Sequence, residues 1–371
     1  MNIEKAKRIV IKIGSTLVAD EKGDLRKNWL HSLSDDIAKL KKSDKEIVIV
    51  TSGAVALGRR YLGLTKTKDS LKLEQKQAAA ACGQVALAEA YRQSLSRHNI
   101  TMGQILLSLE DSENRRRYLN ARSTFETLLT GGVVPVVNEN DTVATEEIRV
   151  GDNDRLAARV AQMIEADLLI LLSDVDGLYT ENPMTNPAKA KHIPVVDNIT
   201  DKIAAMADGK GSHESSGGMT TKIMAARIAT GSGCNTIITI GKEENPIKRL
   251  LEGGKHTLFT AKESPRSARK KWIADGLKAT GKIIIDDGAV AALGKGKSLL
   301  PAGVVSVEGK FQRGDAVSIR NQNGKEIGRG LVAYSIEDAE KIIRHNSKDI
   351  EKILGYSGRD ALIHRNDLVL V

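Results

Sequence analysis

Two cysteines in 371 residues, Cys82 and Cys234, with no CxxC pair, give no basis for a disulfide framework or a zinc site. Both sit among small and apolar residues, so a reducing, cytoplasmic setting is expected. Aromatic residues make up 3% of the chain, too few for rows of base-stacking platforms. No stretch reaches the ~18 apolar residues of a membrane span. The opening MNIEKAKRIVIKIG has neither a long apolar core nor a small-residue cleavage site, and no secretory signal is expected. Two common nucleotide motifs are also missing. The GKS at 296–298 has Ala291 where the leading glycine of a Walker A loop belongs. GSGCNT (231–236) precedes a strand instead of following one, so it is not a dinucleotide fingerprint.

What is present is the composition of a globular protein, 41% apolar and 28% charged. The length suits two domains at about 100–200 residues each. A net charge of +9 favours anionic partners. Short β-branched runs alternate with helical patterns over the first 260 or so residues. RIVIKIG (8–14), EIVIV (46–50), TMGQILLS (101–108), VVPVVNEN (133–140), DLLILLS (167–173) and TIITIG (236–241) read as strands. Between them KNWLHSLSDDIAKLKKSD, EQKQAAAACGQVALAEAYRQSL (74–95), LNARSTFETLLTGG (119–132), NDRLAARVAQMIEA and TTKIMAARIATGSG (220–233) read as helices. This alternation implies an α/β fold with a mostly parallel open sheet sandwiched by helices. It stops near residue 262. The basic run KESPRSARKK (262–271) reads as a solvated linker, with nucleic-acid contact the minority reading. From about 280 onward, short strands with the turn signals EGK, RGD and NQNG make a small β-rich domain, and SIEDAEKIIR and SKDIEKILG add short helices.

In an open α/β sheet ligands bind at the carboxyl ends of the strands, and polar or glycine-rich segments cluster there. KIGS (12–15) sets Lys12 late in a buried strand, where the lysine either meets a phosphate or reaches solvent from the strand end. TSGA (51–54) offers Ser52 and Gly53 at a helix start, either an anion cradle or a plain cap. SSGGMTTK (215–222) joins glycines and hydroxyls to Lys222. SDVDGLY (173–179) could set Ser173 and Asp174 on a nucleotide, or simply turn at Asp176–Gly177. VNENDTVATEEIRVGDND (137–154) packs six acids and one arginine into eighteen positions of a basic chain. Two lysines from distant segments, amide-rich turns and an acidic stretch are what phosphoryl transfer requires, because positioning and charge stabilisation dominate that reaction. No Ser/His/Asp pattern points to hydrolysis.

IKIGST, VTSGAVALG, FETLL…VPVVNENDTVAT, VGDND, LLSDVDGLYT and GGMTTK follow the order found in the amino acid kinase family, and the chain resembles that family, within it the glutamate 5-kinase branch. The tail, GAVAAL…SLLPAGV…G.F.RGD.V.I, resembles a PUA domain. The resemblance implies a kinase domain over 1–262, a basic linker over 263–279 and a PUA-like domain over 280–371. It implies transfer of phosphate from ATP, with Mg²⁺, to the γ-carboxylate of L-glutamate, the first step of proline biosynthesis. Lys12, Asp154 and Lys222 would be catalytic, Asp154 orienting the two lysines. Ser52, Gly53, Asn138, Asp141, Asp152 and Asn153 would bind glutamate. Ser173, Asp174, Ser216, Gly217, Gly218, Met219, Thr220, Thr221 and Lys222 would bind ATP, with Lys12. The family often has Thr where this chain has Ser173 and Ser216. A homo-oligomer, dimer or tetramer, is expected, as is hand-over of product to glutamyl phosphate reductase. No membrane partner is expected. The alternatives are a family relative acting on another carboxylate or a nucleotide, and an RNA-binding protein acting through the PUA-like tail.

The acidic stretch then has a physical purpose. The substrate ammonium calls for an acid such as Asp141, and asparagine amides can bond its carboxylates without repulsion. Glu146 and Glu147 are expected at a solvated hairpin tip.

Overall fold

The computed structural model describes residues 3–20, 22–64, 70–143, 152–207 and 218–370. The chain divides into two compact units, Met1–Pro265 and Arg266–Val371.

The first unit is built on an eight-stranded sheet. Its strands are β1 (Arg8–Ile13), β2 (Glu46–Val50), β3 (Met102–Leu107), β4 (Val134–Glu139), β5 (Leu168–Ser173), β8 (Val195–Val196), β9 (Asn235–Ile240) and β10 (His256–Phe259), while β6 (Leu178–Tyr179) and β7 (His192–Ile193) form a separate ribbon. The order is β3-β4-β2-β1-β5-β9-β10-β8, and only the β9–β10 pairing is antiparallel. The chain runs outward from β1 to one edge and returns to β5 on the other side of β1. The carboxyl ends of β1, β2, β4, β5 and β9 therefore share one edge, the position at which open α/β sheets bind ligands.

Strand periodicity distributes the core between two faces. Ile9, Ile11 and Ile13 of β1 pack with Trp29, Leu33 and Ile37 of the helix Lys27–Lys42 and with Leu87 and Tyr91 of the helix Leu73–Ser96. Val10 points the other way, among Leu156, Ala157 and Val160 of the helix Asp152–Met163 and Ile223 and Ala226 of the helix Met219–Gly231. Successive residues of a strand alternate sides, so Lys12 falls on the Val10 side, beneath the helix that begins at Asp152. With both faces covered, the strands are apolar throughout rather than alternating.

The helices Ala54–Tyr61 and Leu73–Ser96 cross at almost backbone contact. A Cβ added to Gly83 would stand 1.8 Å from the Ala54 carbonyl oxygen, and one added to Gly58 would stand 1.7 Å from that of Ala79. Only glycine permits this approach, which seats the turn before Ala54 against the longer helix. Gly53, in that turn, has φ 112°, a conformation natural to glycine.

The second unit has a five-stranded sheet, β12-β11-β13-β14-β15, from β11 (Gly281–Ile285), β12 (Val304–Gly309), β13 (Ala316–Asn321), β14 (Glu326–Leu331) and β15 (Leu368–Leu370). Its core is formed by Ile283, Ile285, Phe311, Val317, Ile319 and Leu362. Two segments differ from expectation. Residues Pro265–Asp275, expected as a solvated linker, form a helix in which Arg269 is buried against Asp367 at 2.6 Å. GAVAAL, read among short strands, lies in the helix Asp287–Gly294, started by Asp286, whose side chain accepts from Ala289 N at 2.7 Å. Among the described residues no helix is long and apolar enough to cross a membrane.

Replacing Gly83 by Ala is expected to destabilise the first unit by roughly 2 kcal/mol, the scale of forced overpacking. Chemical denaturation measures it, and a midpoint equal to that of the unaltered protein would contradict the close crossing.

Candidate active site

Lys12 is the penultimate residue of β1, and Asp154 lies in the first turn of the helix covering that face. Lys12 Nζ stands 2.5 Å from Asp154 Oδ1. From the neighbouring helix Met219–Gly231, Lys222 Nζ reaches to 3.5 Å from Asp154 Oδ2. Thr221 Oγ1 donates to Oδ2 at 2.8 Å. Asp154 is 0% exposed, and Lys12 and Lys222 are 7% and 5% exposed. Burial acts to raise the Asp154 pKa, but the charges of Lys12 and Lys222, with hydrogen bonds from Lys12 and Thr221, outweigh it and hold the carboxyl below its ordinary value. Burial pushes the Lys222 pKa down, Asp154 opposes the fall, and Lys12 adds to it. Asp174 also favours the Lys222 cation. The group carries two ammonium charges against one buried carboxylate, an excess of +1 held next to the polar strand ends.

A second group of side chains lies at the ends of β2 and β4. Asn153 Nδ2 donates to Thr51 O at 3.0 Å, to Ser52 Oγ at 2.7 Å and to Asn138 Oδ1 at 3.2 Å. Asn138, 2% exposed, donates from Nδ2 to Gln84 Oε1 at 2.7 Å. Thr51 Oγ1 and Tyr91 Oη are 2.8 Å apart. Asn153 Oδ1 is buried and has no hydrogen-bond partner among the described residues. Because Asn153 and Asp154 are consecutive, the start of one helix serves both groups.

The remaining expected residues are distributed around these two. Asp141 is buried in the turn Asp141–Val143, which packs against the helix Leu73–Ser96. Ser173 ends β5 and donates to Asp174 Oδ1 at 2.9 Å. Gly53 holds the turn after Ser52. Gly218 precedes the helix that carries Met219, Thr220, Thr221 and Lys222. Ser216, Gly217, Glu146 and Glu147 lie outside the described residues, as does the side chain of Asp152. Sequence reading missed Gln84 and Tyr91. It placed Thr221 among nucleotide-binding residues without foreseeing its bond to Asp154.

No group of three or more His, Cys, Asp or Glu among the described residues is arranged to hold a metal ion. Both Asp154 oxygens already face cations. The described residues thus offer no protein cage for a divalent cation.

Residues 7–239 match the amino acid kinase family and residues 281–354 match the PUA domain. The chain is 56% identical over 366 residues to the glutamate 5-kinase of Paramagnetospirillum magneticum, covering 98% of each. It is 56% identical over 363 residues to that of Agrobacterium fabrum, covering 98% of this chain and 92% of the relative. Among solved structures, the carbamate kinase of Giardia lamblia bound to AMP-PNP matches 70% of this chain and 99% of its own, at 17% identity and a TM-score of 0.50. That likeness shows the fold: a mostly parallel sheet between helices.

Asp154→Ala leaves two buried ammonium groups without their counter-charge, and is expected to cost about 3 kcal/mol near neutral pH. The Lys222 pKa lies below its unfolded value already, and would lie lower still without Asp154, so the unfolded chain binds more protons as pH rises toward 10.5. The deficit should therefore shrink with rising pH. Urea unfolding of both proteins across that range checks it; a deficit that grows would contradict the charge arrangement.

Proposed function

The chain belongs to the amino acid kinase family, and to the branch that its glutamate 5-kinase relatives make up, and from that premise we infer that it phosphorylates the γ-carboxylate of L-glutamate with ATP, the first step of proline biosynthesis. The observation that carries the mechanism is the convergence of Lys12 and Lys222 on opposite oxygens of the fully buried Asp154.

A γ-carboxylate oxygen attacks the γ-phosphorus of ATP. The new C–O–P linkage forms as the bond to the β-phosphate oxygen breaks, and ADP leaves. The nucleophile is already ionised at neutral pH, so no proton moves and no general base is needed. This agrees with a site rich in amides and cations, with no histidine among its described residues. What the protein must supply is alignment of two anions and charge to spread over the migrating phosphoryl. Lys12 and Lys222 supply that charge. Asp154 pairs with both and aims them, and Thr221 fixes its carboxylate.

In this reading Ser52, Gly53, Asn138, Asp141, Asp152 and Asn153 hold glutamate, with Asp141 facing the ammonium. Ser173 and Asp174 with the segment from Ser216 to Lys222 hold ATP, whose Mg²⁺ comes as part of the substrate. The product is a water-labile acyl phosphate, which favours transfer to a reductase that consumes it.

Hydroxylamine converts such an acyl phosphate into a coloured hydroxamate, and the expected result is hydroxamate that depends on L-glutamate, ATP and Mg²⁺. Lys222→Ala should lower kcat by about 10²–10³, the scale of losing one charge-stabilising donor. In the unaltered protein kcat/KM for MgATP, which reports the free enzyme, should fall as pH rises through the lowered Lys222 pKa, below the 10.5 of a free lysine. Lys222→Arg keeps its charge and should lose that alkaline limb, whatever rate it retains. Near-normal turnover of Lys222→Ala would remove this lysine from the mechanism.

A further inference from the structure

We propose that Gln84, on the helix Leu73–Ser96, is a positioning residue of the substrate site: by accepting from the buried Asn138 amide it closes the chain of amides that the Thr51 carbonyl orients, and so holds the Asn153 oxygen toward the α-ammonium of the amino acid. The proposal rests on the reaction inferred above and adds how the site tells an amino acid from a plain dicarboxylic acid.

An amide side chain has a donor end and an acceptor end of nearly equal shape, so its neighbours decide which way it faces. Here the choice is anchored by a group that cannot be mistaken. The Thr51 carbonyl oxygen only accepts, and the Asn153 end lying 3.0 Å from it must be the NH₂. The same NH₂ lies 3.2 Å from Asn138, whose end there must be oxygen. The other end of Asn138 is then its NH₂, and Gln84 Oε1 receives it at 2.7 Å. Each assignment follows from the one before.

Taken in reverse, the chain shows what Gln84 does. Without an acceptor at 84, the buried Asn138 NH₂ loses this bond, and an unmet donor in that position is costly. A flip of Asn138 would relieve it by turning an NH₂ toward the Asn153 NH₂. Asn153 could follow only by setting its oxygen against the Thr51 carbonyl. Gln84 satisfies the last donor of the order that the Thr51 carbonyl sets, and in this order Asn153 Oδ1 is the end left without a partner among the described residues. A buried acceptor with nothing to accept marks where a donor belongs. The α-ammonium of glutamate is such a donor, and its carboxylates are not.

The support for Gln84 is rigid. Its neighbour Gly83 makes the close contact with Ala54. Tyr91, two turns further along the helix, meets Thr51 at 2.8 Å. The helix thereby holds both the carbonyl that begins the chain of amides and the acceptor that ends it.

The test compares L-glutamate with glutarate, which lacks the ammonium, in the hydroxamate assay. Gln84→Leu and the closer isostere Gln84→Met remove the acceptor, and Gln84→Glu restores an oxygen there. The Leu and Met variants should raise KM for L-glutamate about tenfold, leave kcat and KM for MgATP within about threefold, and cut the preference for L-glutamate over glutarate by about the same tenfold. The Glu variant should recover both KM and preference. An equal rise in KM for both acids, or an unchanged preference, would overturn the role of Gln84 while the reaction itself stands. Absence of hydroxamate from the unaltered protein would instead overturn the reaction, before any variant is considered.

Discussion

A carboxylate with no exposed surface stays ionised only when cations stand against it, and two lysines do so at Asp154. The constraint is mutual. Burial presses the Lys222 ammonium toward neutrality, and the carboxylate resists that pressure. Removing the carboxylate leaves two cations in a low-dielectric place without compensation. Such a cluster stabilises a fold weakly for what its desolvation costs, so its value lies in pre-positioning. Two cations are held in place before the substrate arrives, and the migrating phosphoryl need not reorganise them.

The sheet is what allows this cluster to form. Parallel pairing of β1 with β2 and β5 aligns their carboxyl ends, and alternation along β1 turns Lys12 toward the helix that starts at Asp152. The helix Met219–Gly231 brings Lys222 to the same carboxylate together with Thr221, which lies 67 residues further along the chain. On the opposite side of β1 the glycine-mediated helix crossing braces the Thr51–Ser52–Gly53 turn. One side of the site thus governs charge and the other governs amide direction, and the consecutive residues Asn153 and Asp154 join them.

Much of this was legible in the sequence because it follows from period and type. Lys12 in an apolar strand, Lys222 at a glycine-marked helix start and acids in a basic chain each break a local pattern. The strands follow their hydrophobic periods to within a residue, while the helix expected over 119–132 begins four residues earlier, at Arg115, and the one expected to run to Ala166 ends at Met163. What escaped notice has its cause at a distance. Gln84 sits in an Ala-rich helix among other glutamines, and only a partner 54 residues away distinguishes it. Arg269 looked like part of a solvated basic run, yet it is buried by Asp367, 98 residues away. Asp286 starts a helix where glycines and short apolar runs had suggested strands. Local spacing carries no information about pairings of this kind.

The most direct measurement of the central claim is a crystal structure with MgADP, L-glutamate and aluminium fluoride, in which the fluoride occupies the place of the phosphoryl in flight. The account predicts that the Nζ atoms of Lys12 and Lys222 both lie within about 3 Å of fluoride while remaining paired with Asp154. If either ammonium stays more than about 5 Å from the fluoride, beyond any hydrogen bond, the two lysines do not share the phosphoryl and the account is wrong.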